Sequence, residues 1–143
     1  MNCSLDWLSD PEVFEVNRLP AHSDHIVYSN IDELKIGKSS LYQSLNGKWK
    51  FSYAVNPDKR KSNFYADSFD TDSFDEITVP GHIELQGFGK PHYVNTMYPW
   101  EGKEHLRPPF VSKKDNPVGS YVKYFDLDDG LKGKRVHITF QQC

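Results

Sequence analysis

The run Asn46-Gly47-Lys48-Trp49-Lys50-Phe51-Ser52-Tyr53-Ala54 follows a turn signal with strict alternation: Trp49, Phe51 and Tyr53 fall on one face, polar residues on the other. A period of two belongs to a half-buried strand. Downstream, Phe74 to Val79 leads into a second short strand through Ile77 and Val79, and Ser120 to Leu127 reads as a third. A fourth is expected over Arg135 to Gln141, with Val136, Ile138 and Phe140 opposite His137, Thr139 and Gln141. Between the first two strands, Asp58 to Phe64 is basic and polar, and Phe64-Tyr65 and Phe69 are expected to anchor a loop or helical turn. The connections are long and rich in Pro and Gly, with no helix of three full turns. That pattern favours an all-β, antiparallel sandwich over a parallel α/β sheet. The fourth strand ends with the chain, which would leave one sheet edge unpaired, so the sandwich is expected to be incomplete at its C-terminus.

Upstream, the sequence from Asp6 to about Tyr42 is irregular. Asp10-Pro11 and Leu19-Pro20 interrupt any helix, and apolar residues occur singly, as at Val13, Val16, Leu19, Ile26 and Tyr28. Residues 1–42 therefore read as an extended arm and residues 43–143 as the sandwich. Within the arm, Ile31-Asp32-Glu33-Leu34-Lys35 predicts a short helical turn capped by Asn30.

The chain has 143 residues, 37% hydrophobic and 26% charged, with a net charge of -3. That length supports one domain with a real core. Without a basic surplus, neither nucleic acid nor an anionic membrane is an expected partner. The two cysteines, Cys3 and Cys143, lie at the ends, which argues against a disulfide framework and for a reducing compartment. No basic stretch followed by an apolar run opens the sequence, and no segment reaches the length of a membrane span, so a cytoplasmic location is expected. Three Trp, eight Tyr and nine Phe make the aromatic share 14%. Such side chains either fill sandwich cores or form platforms for sugar rings, and composition does not separate the two.

Val79-Pro80-Gly81-His82-Ile83-Glu84-Leu85-Gln86-Gly87-Phe88-Gly89, continuing through Tyr93-Val94-Asn95-Thr96-Met97-Tyr98-Pro99-Trp100, has the composition of a loop shaped to present groups to a ligand. The amide of Asn95 can both donate to and accept from a sugar hydroxyl, or it can hold an Asx turn. His82 and Glu84, two apart on what reads as an extended segment, would project to one side as loop scaffolding. Tyr98 and Trp100 either stack on a sugar face or anchor the loop beside Pro99. His22-Ser23-Asp24-His25 has the spacing to present two imidazoles oriented by Asp24 but lacks third and fourth ligands, which favours a solvated arm segment. Lys113-Lys114 and the Lys132 to Arg135 cluster are flanked by acids and read as solvated turns.

Five motifs occur in order: Asn17-Arg18-Leu19-Pro20-Ala21-His22; Ser44-Leu45-Asn46-Gly47-Lys48-Trp49-Lys50-Phe51; Val79-Pro80-Gly81-His82-Ile83-Glu84-Leu85-Gln86-Gly87; Tyr93-Val94-Asn95-Thr96-Met97-Tyr98-Pro99-Trp100; and Pro108-Pro109-Phe110-Val111. Together they resemble the N-terminal sugar-binding, jelly-roll-like domain of glycoside hydrolase family 2 β-galactosidases, and closely the form in lactic-acid and related Gram-positive bacteria. The resemblance implies a galactose-binding-domain-like sandwich, with Asn95 matching the asparagine that the family extends from this domain into the galactose pocket. Thr96 and Trp100 stand beside it as further substrate-binding candidates. Asp6 matches an N-terminal aspartate that helps hold magnesium through a water network. Magnesium and sodium are implied for the full-length enzyme, with their main ligands outside this chain.

Retaining hydrolysis needs an acid/base carboxyl and a nucleophilic carboxylate about 5 Å apart. In this family both belong to a downstream barrel, so no catalytic residue is assigned here and the chain alone is expected to be inactive. The resemblance also implies a β-galactoside substrate such as lactose, the remainder of the β-galactosidase polypeptide as partner, and a homo-oligomer whose interface the arm completes. Where the family continues after Phe140-Gln141 with Gly-Val and further strands, this chain reads Gln142-Cys143, which points to a fragment, a frameshift or a truncated gene. A non-catalytic carbohydrate-binding module and a complementing interaction piece are the alternatives.

Overall fold

A computed structural model describes residues 4–23, 25–91, 100–101 and 103–140. The contacts divide the chain into two compact units. The first takes residues up to Leu19 together with Asn46–Lys123, and the second takes Pro20–Leu45 together with the residues from Tyr124 onward.

The first unit is built on β1 (Gly47–Ala54), β2 (Asp75–Val79) and β3 (Val118–Val122), an antiparallel sheet in the order β2-β1-β3. The fold is antiparallel and all-β, and among the described residues it presents this one sheet. Trp49 lies opposite Ile77, and Phe51 lies between Asp75 and Tyr121. The alternation in β1 delivers Trp49, Phe51 and Tyr53 to one face, as its period requires. Phe51 is fully buried and Ile77 is 1% exposed. The rings of Tyr121 and Phe88 each lie 4.7 Å from that of Phe51. Gly119 leaves the room for this packing: a Cβ there would come within 2.8 Å of the Phe51 ring. On the opposite face, Lys48 reaches Glu76 at 2.8 Å. Between β1 and β2, Asn63 takes a left-handed conformation (φ 57°) at the start of two successive turns, and Phe69 packs edge-on against buried Phe74 at 5.9 Å.

Two expected strands differ. The third begins at Val118 and stops at Val122 instead of running from Ser120 to Leu127. Its next ladder step would use the Lys48 carbonyl, which instead accepts the Lys123 ammonium at 2.7 Å, and from Tyr124 the chain belongs to the second unit. The fourth is absent: residues 135–140 form no strand, and Val136, Ile138 and Phe140 are 45%, 61% and 68% exposed. Alternation prepares a segment for a sheet, but strand hydrogen bonds require a neighbour, and none flanks it among the described residues.

The second unit contains α1 (Ile31–Ile36). As expected, Asn30 caps it, its side-chain oxygen accepting from the Asp32 and Glu33 amides at 3.0 and 2.9 Å. Gly37, left-handed at φ 69°, ends it, and its amide donates to the Glu33 and Leu34 carbonyls. The helix buries no residue, so polar contacts hold it. One Glu33 carboxylate oxygen accepts from the backbone amides of Ser29 (3.1 Å) and Ser40 (3.2 Å). The Ser39 hydroxyl donates to the Val27 carbonyl at 2.6 Å. The Gln43 amide donates to the Asp126 carbonyl and accepts from the Asp128 amide.

Candidate functional site

The loop leaving β2 is tied to the edge of the sheet by the Gln86 side chain. Gln86 accepts from the Thr78 amide at 2.7 Å and donates to the Thr78 carbonyl at 3.0 Å, so its carboxamide pairs with the free edge of β2 as another strand would. Gly81 is required beneath it, because a Cβ there would lie 2.7 Å from the Gln86 amide nitrogen and 2.9 Å from the Thr78 carbonyl. Beyond Gln86, Phe88 packs on Phe51 and Tyr53. Gly89 (φ 70°) then passes so close to the sheet that a Cβ would meet the Tyr53 hydroxyl at 2.9 Å.

This geometry corrects the placement of His82 and Glu84. The segment is not extended: Ile83 is helical in its backbone angles and Glu84–Gln86 forms a 3₁₀ turn, so the two side chains are not strand neighbours on one face. Gln86 doubles the chain back onto Thr78, which an extended course would prevent.

Asn95, Thr96 and Tyr98 lie outside the described residues. Trp100, half-buried, opens a turn in which its carbonyl accepts from the amides of Lys103 and Glu104, both at 3.0 Å. Two contacts brace that turn. The Ser112 hydroxyl donates to the Glu104 carboxylate in a short hydrogen bond, and the Lys103 ammonium meets Asp115 at 2.6 Å. Ser112 is fully buried and accepts from the amides of Lys114 (3.1 Å) and Asp115 (2.8 Å). A hydroxyl offers one donor and two acceptor positions, and all three are used. The chain on either side of 92–99 is thus fixed to the first unit, by Phe88 and Gly89 before it and by the Trp100 turn after it.

Asp6 lies exposed in the 3₁₀ turn Leu5–Ser9, where its carboxylate accepts from the Ser4 hydroxyl at 3.0 Å and its amide donates to the Ser4 oxygen at 3.2 Å. Magnesium takes an octahedral set of oxygen ligands. Among the described residues no three His, Cys, Asp or Glu side chains converge, and Asp6 brings one carboxylate, short of the oxygen set that magnesium takes. His22 and His25 are exposed with ring centroids 6.3 Å apart, their Nδ1 atoms 3.0 and 3.2 Å from the carbonyls of Pro20 and Ser23. Asp24 lies outside the described residues. In the basic turns, Lys132 pairs with Asp129 at 2.6 Å, and the Lys114 amide serves the Ser112 turn.

Glu33 and Glu76 carry shifted acidity. Hydrogen bonds from the Ser29 and then the Ser40 side chain hold Glu33 down from 4.5 to about 2. The hydrogen bond and charge of Lys48 lower Glu76, with Lys50 and Lys123 adding to the effect. Neither group lies in the 79–100 loop, so the shifts belong to the framework.

Sequence reasoning did not single out Gln86, Glu104, Ser112 or Glu33. Asn30 followed three residues later by Glu33 is the spacing of a capping box, a local signal that was there to use, although Glu33 reaches Ser29 and Ser40 instead of the Asn30 amide. Gln86, Glu104 and Ser112 act on partners eight residues away through side-chain geometry, which spacing does not encode.

Residues 42–143 match the model of the glycosyl hydrolases family 2 sugar binding domain, and the chain belongs to that family. Among individual relatives, it is 55% identical to a β-galactosidase of Halalkalibacterium halodurans over 139 residues, covering 96% of this chain and 14% of the relative. It is 54% identical to a β-galactosidase of Clostridium acetobutylicum, covering 96% and 16%. It is also 51% identical to the β-galactosidase large subunit of Leuconostoc lactis, covering 99% and 24%. The chain therefore spans between a seventh and a quarter of these relatives. Among the described residues no helix is long and apolar enough to cross a membrane.

Proposed function

We propose that this chain is the leading, substrate-binding part of a β-galactosidase that removes terminal β-D-galactose from β-galactosides such as lactose. The observation that carries this reading is the match of residues 42–143 to the family 2 sugar binding domain, in a chain about half identical to several β-galactosidases. In this role the loop after β2 forms one wall of a galactose site. The Asn95 amide donates to one sugar hydroxyl and accepts from another, distinguishing hydroxyl arrangements because a mismatch leaves a buried polar group unpaired. Thr96 adds a second polar contact and Trp100 an aromatic face on which the sugar stacks. The acid/base and nucleophilic carboxylates come from the remainder of the polypeptide, as do the main magnesium and sodium ligands, and the segment before β1 serves a subunit interface of a homo-oligomer.

The test is hydrolysis of a chromogenic β-galactoside. Purified chain, free of host enzyme, is expected to give no turnover, and mixing it with a β-galactosidase polypeptide lacking its own N-terminal residues is expected to restore turnover. Cleavage by the chain alone, or an inert mixture, would contradict the proposal.

A further inference from the structure

We propose that Glu104 and Lys103, through Ser112 and Asp115, are positioning residues for sugar affinity: they orient Trp100 without touching the sugar. The inference rests on the reading of this loop as a sugar wall. Two consecutive residues of the Trp100 turn grasp two residues of the Ser112 turn, the Glu104 carboxylate holding the Ser112 hydroxyl and the Lys103 ammonium meeting Asp115 at 2.6 Å. A single contact would leave the turn free to rotate, whereas two contacts from adjacent residues fix its orientation. The buried contact is the stronger, because the Ser112 hydroxyl is fully enclosed and uses every hydrogen-bonding position it has. The outer contact is solvent-exposed and screened by salt. Because the Trp100 carbonyl accepts from the amides of both Lys103 and Glu104, the backbone that carries the indole inherits the orientation of the brace. An aromatic ring contributes to sugar binding through a defined face, so affinity depends on that orientation.

The experiment titrates the full chain with galactose, followed by tryptophan fluorescence and by amide shifts in ¹H–¹⁵N spectra, well below the melting temperature of every variant. Glu104→Ala is expected to weaken binding by about threefold to tenfold, the scale of one aromatic contact. Glu104→Gln, whose carbonyl still accepts the Ser112 hydroxyl, is expected to restore most of that loss. Lys103→Met, an exposed change that leaves the buried contact intact, is expected to weaken binding less and to remove its salt dependence. Glu104→Ala combined with Trp100→Ala is expected to bind no worse than Trp100→Ala alone, because the brace acts through the indole. A merely structural brace would lower the melting temperature and leave affinity unchanged, which would overturn the inference while the sugar-wall reading stood. Saturable binding absent from the unaltered chain would remove that reading and the inference with it.

Discussion

In the sheet unit, Phe51 and Ile77 are sealed from solvent and the polar contacts are arranged around them. In the other unit Leu131 is the one buried apolar residue among those described, and Ile31, Leu34 and Ile36 of the helix are all more than half exposed. The first unit is held by aromatic packing among β1, β3 and Phe88, with Ile77 of β2 buried opposite Trp49. The second is held by side chains that reach backbone groups: Glu33 to Ser29 and Ser40, Gln43 to Asp126 and Asp128. Apolar burial is insensitive to pH, whereas a carboxylate accepting from two amides is not. Protons therefore reach the first unit through polar contacts around its core, such as Glu76 with Lys48, and the second through Glu33, a contact that holds its helix.

The largest effect that would break this contrast is expected from Phe51→Ala. Removing a fully buried ring that two aromatic neighbours pack against should destabilise the sheet unit by about 3–5 kcal/mol, read by urea denaturation followed through tryptophan fluorescence. A loss below about 1 kcal/mol would mean that the sheet does not depend on this core.

A smaller, local effect sharpens the other half. The Glu33 carboxyl is depressed in the folded state, so its contribution is fully present above its ordinary value of 4.5 and is lost as pH falls through about 2. The amide shifts of Ser29 and Ser40 should titrate with a midpoint near 2, and Glu33→Gln should abolish that titration while Phe51 and Ile77 remain unaffected. A midpoint at 4.5 would show that the hydrogen bonds from Ser29 and Ser40 do not hold the carboxylate.

Legibility in the sequence followed the range of the interactions. The strand around Phe51 and the Asn30 cap were readable because alternation and capping are written within a few residues. The strand expected over Arg135 to Gln141 was not realised, since alternation states what a segment can join and not whether a partner lies beside it. The end of β3 was unreadable for a related reason: Lys123 reaches a carbonyl 75 residues away in sequence. Near the candidate site, the Glu104–Ser112 brace that holds the Trp100 turn depends on side-chain direction, which no motif states. His82 and Glu84 were misplaced because the fold-back made by Gln86 onto Thr78 is a tertiary contact.

The central claim, that the loop after β2 is a galactose wall read by Asn95, is tested most directly by titrating the chain and its Asn95→Ala variant with galactose in ¹H–¹⁵N spectra. The account predicts saturable shifts concentrated between Gln86 and Trp100 in the unaltered chain, and their loss in the variant with the β1 signals unchanged. Shifts that persist in Asn95→Ala, or a spectrum that galactose leaves unmoved in both, would contradict it.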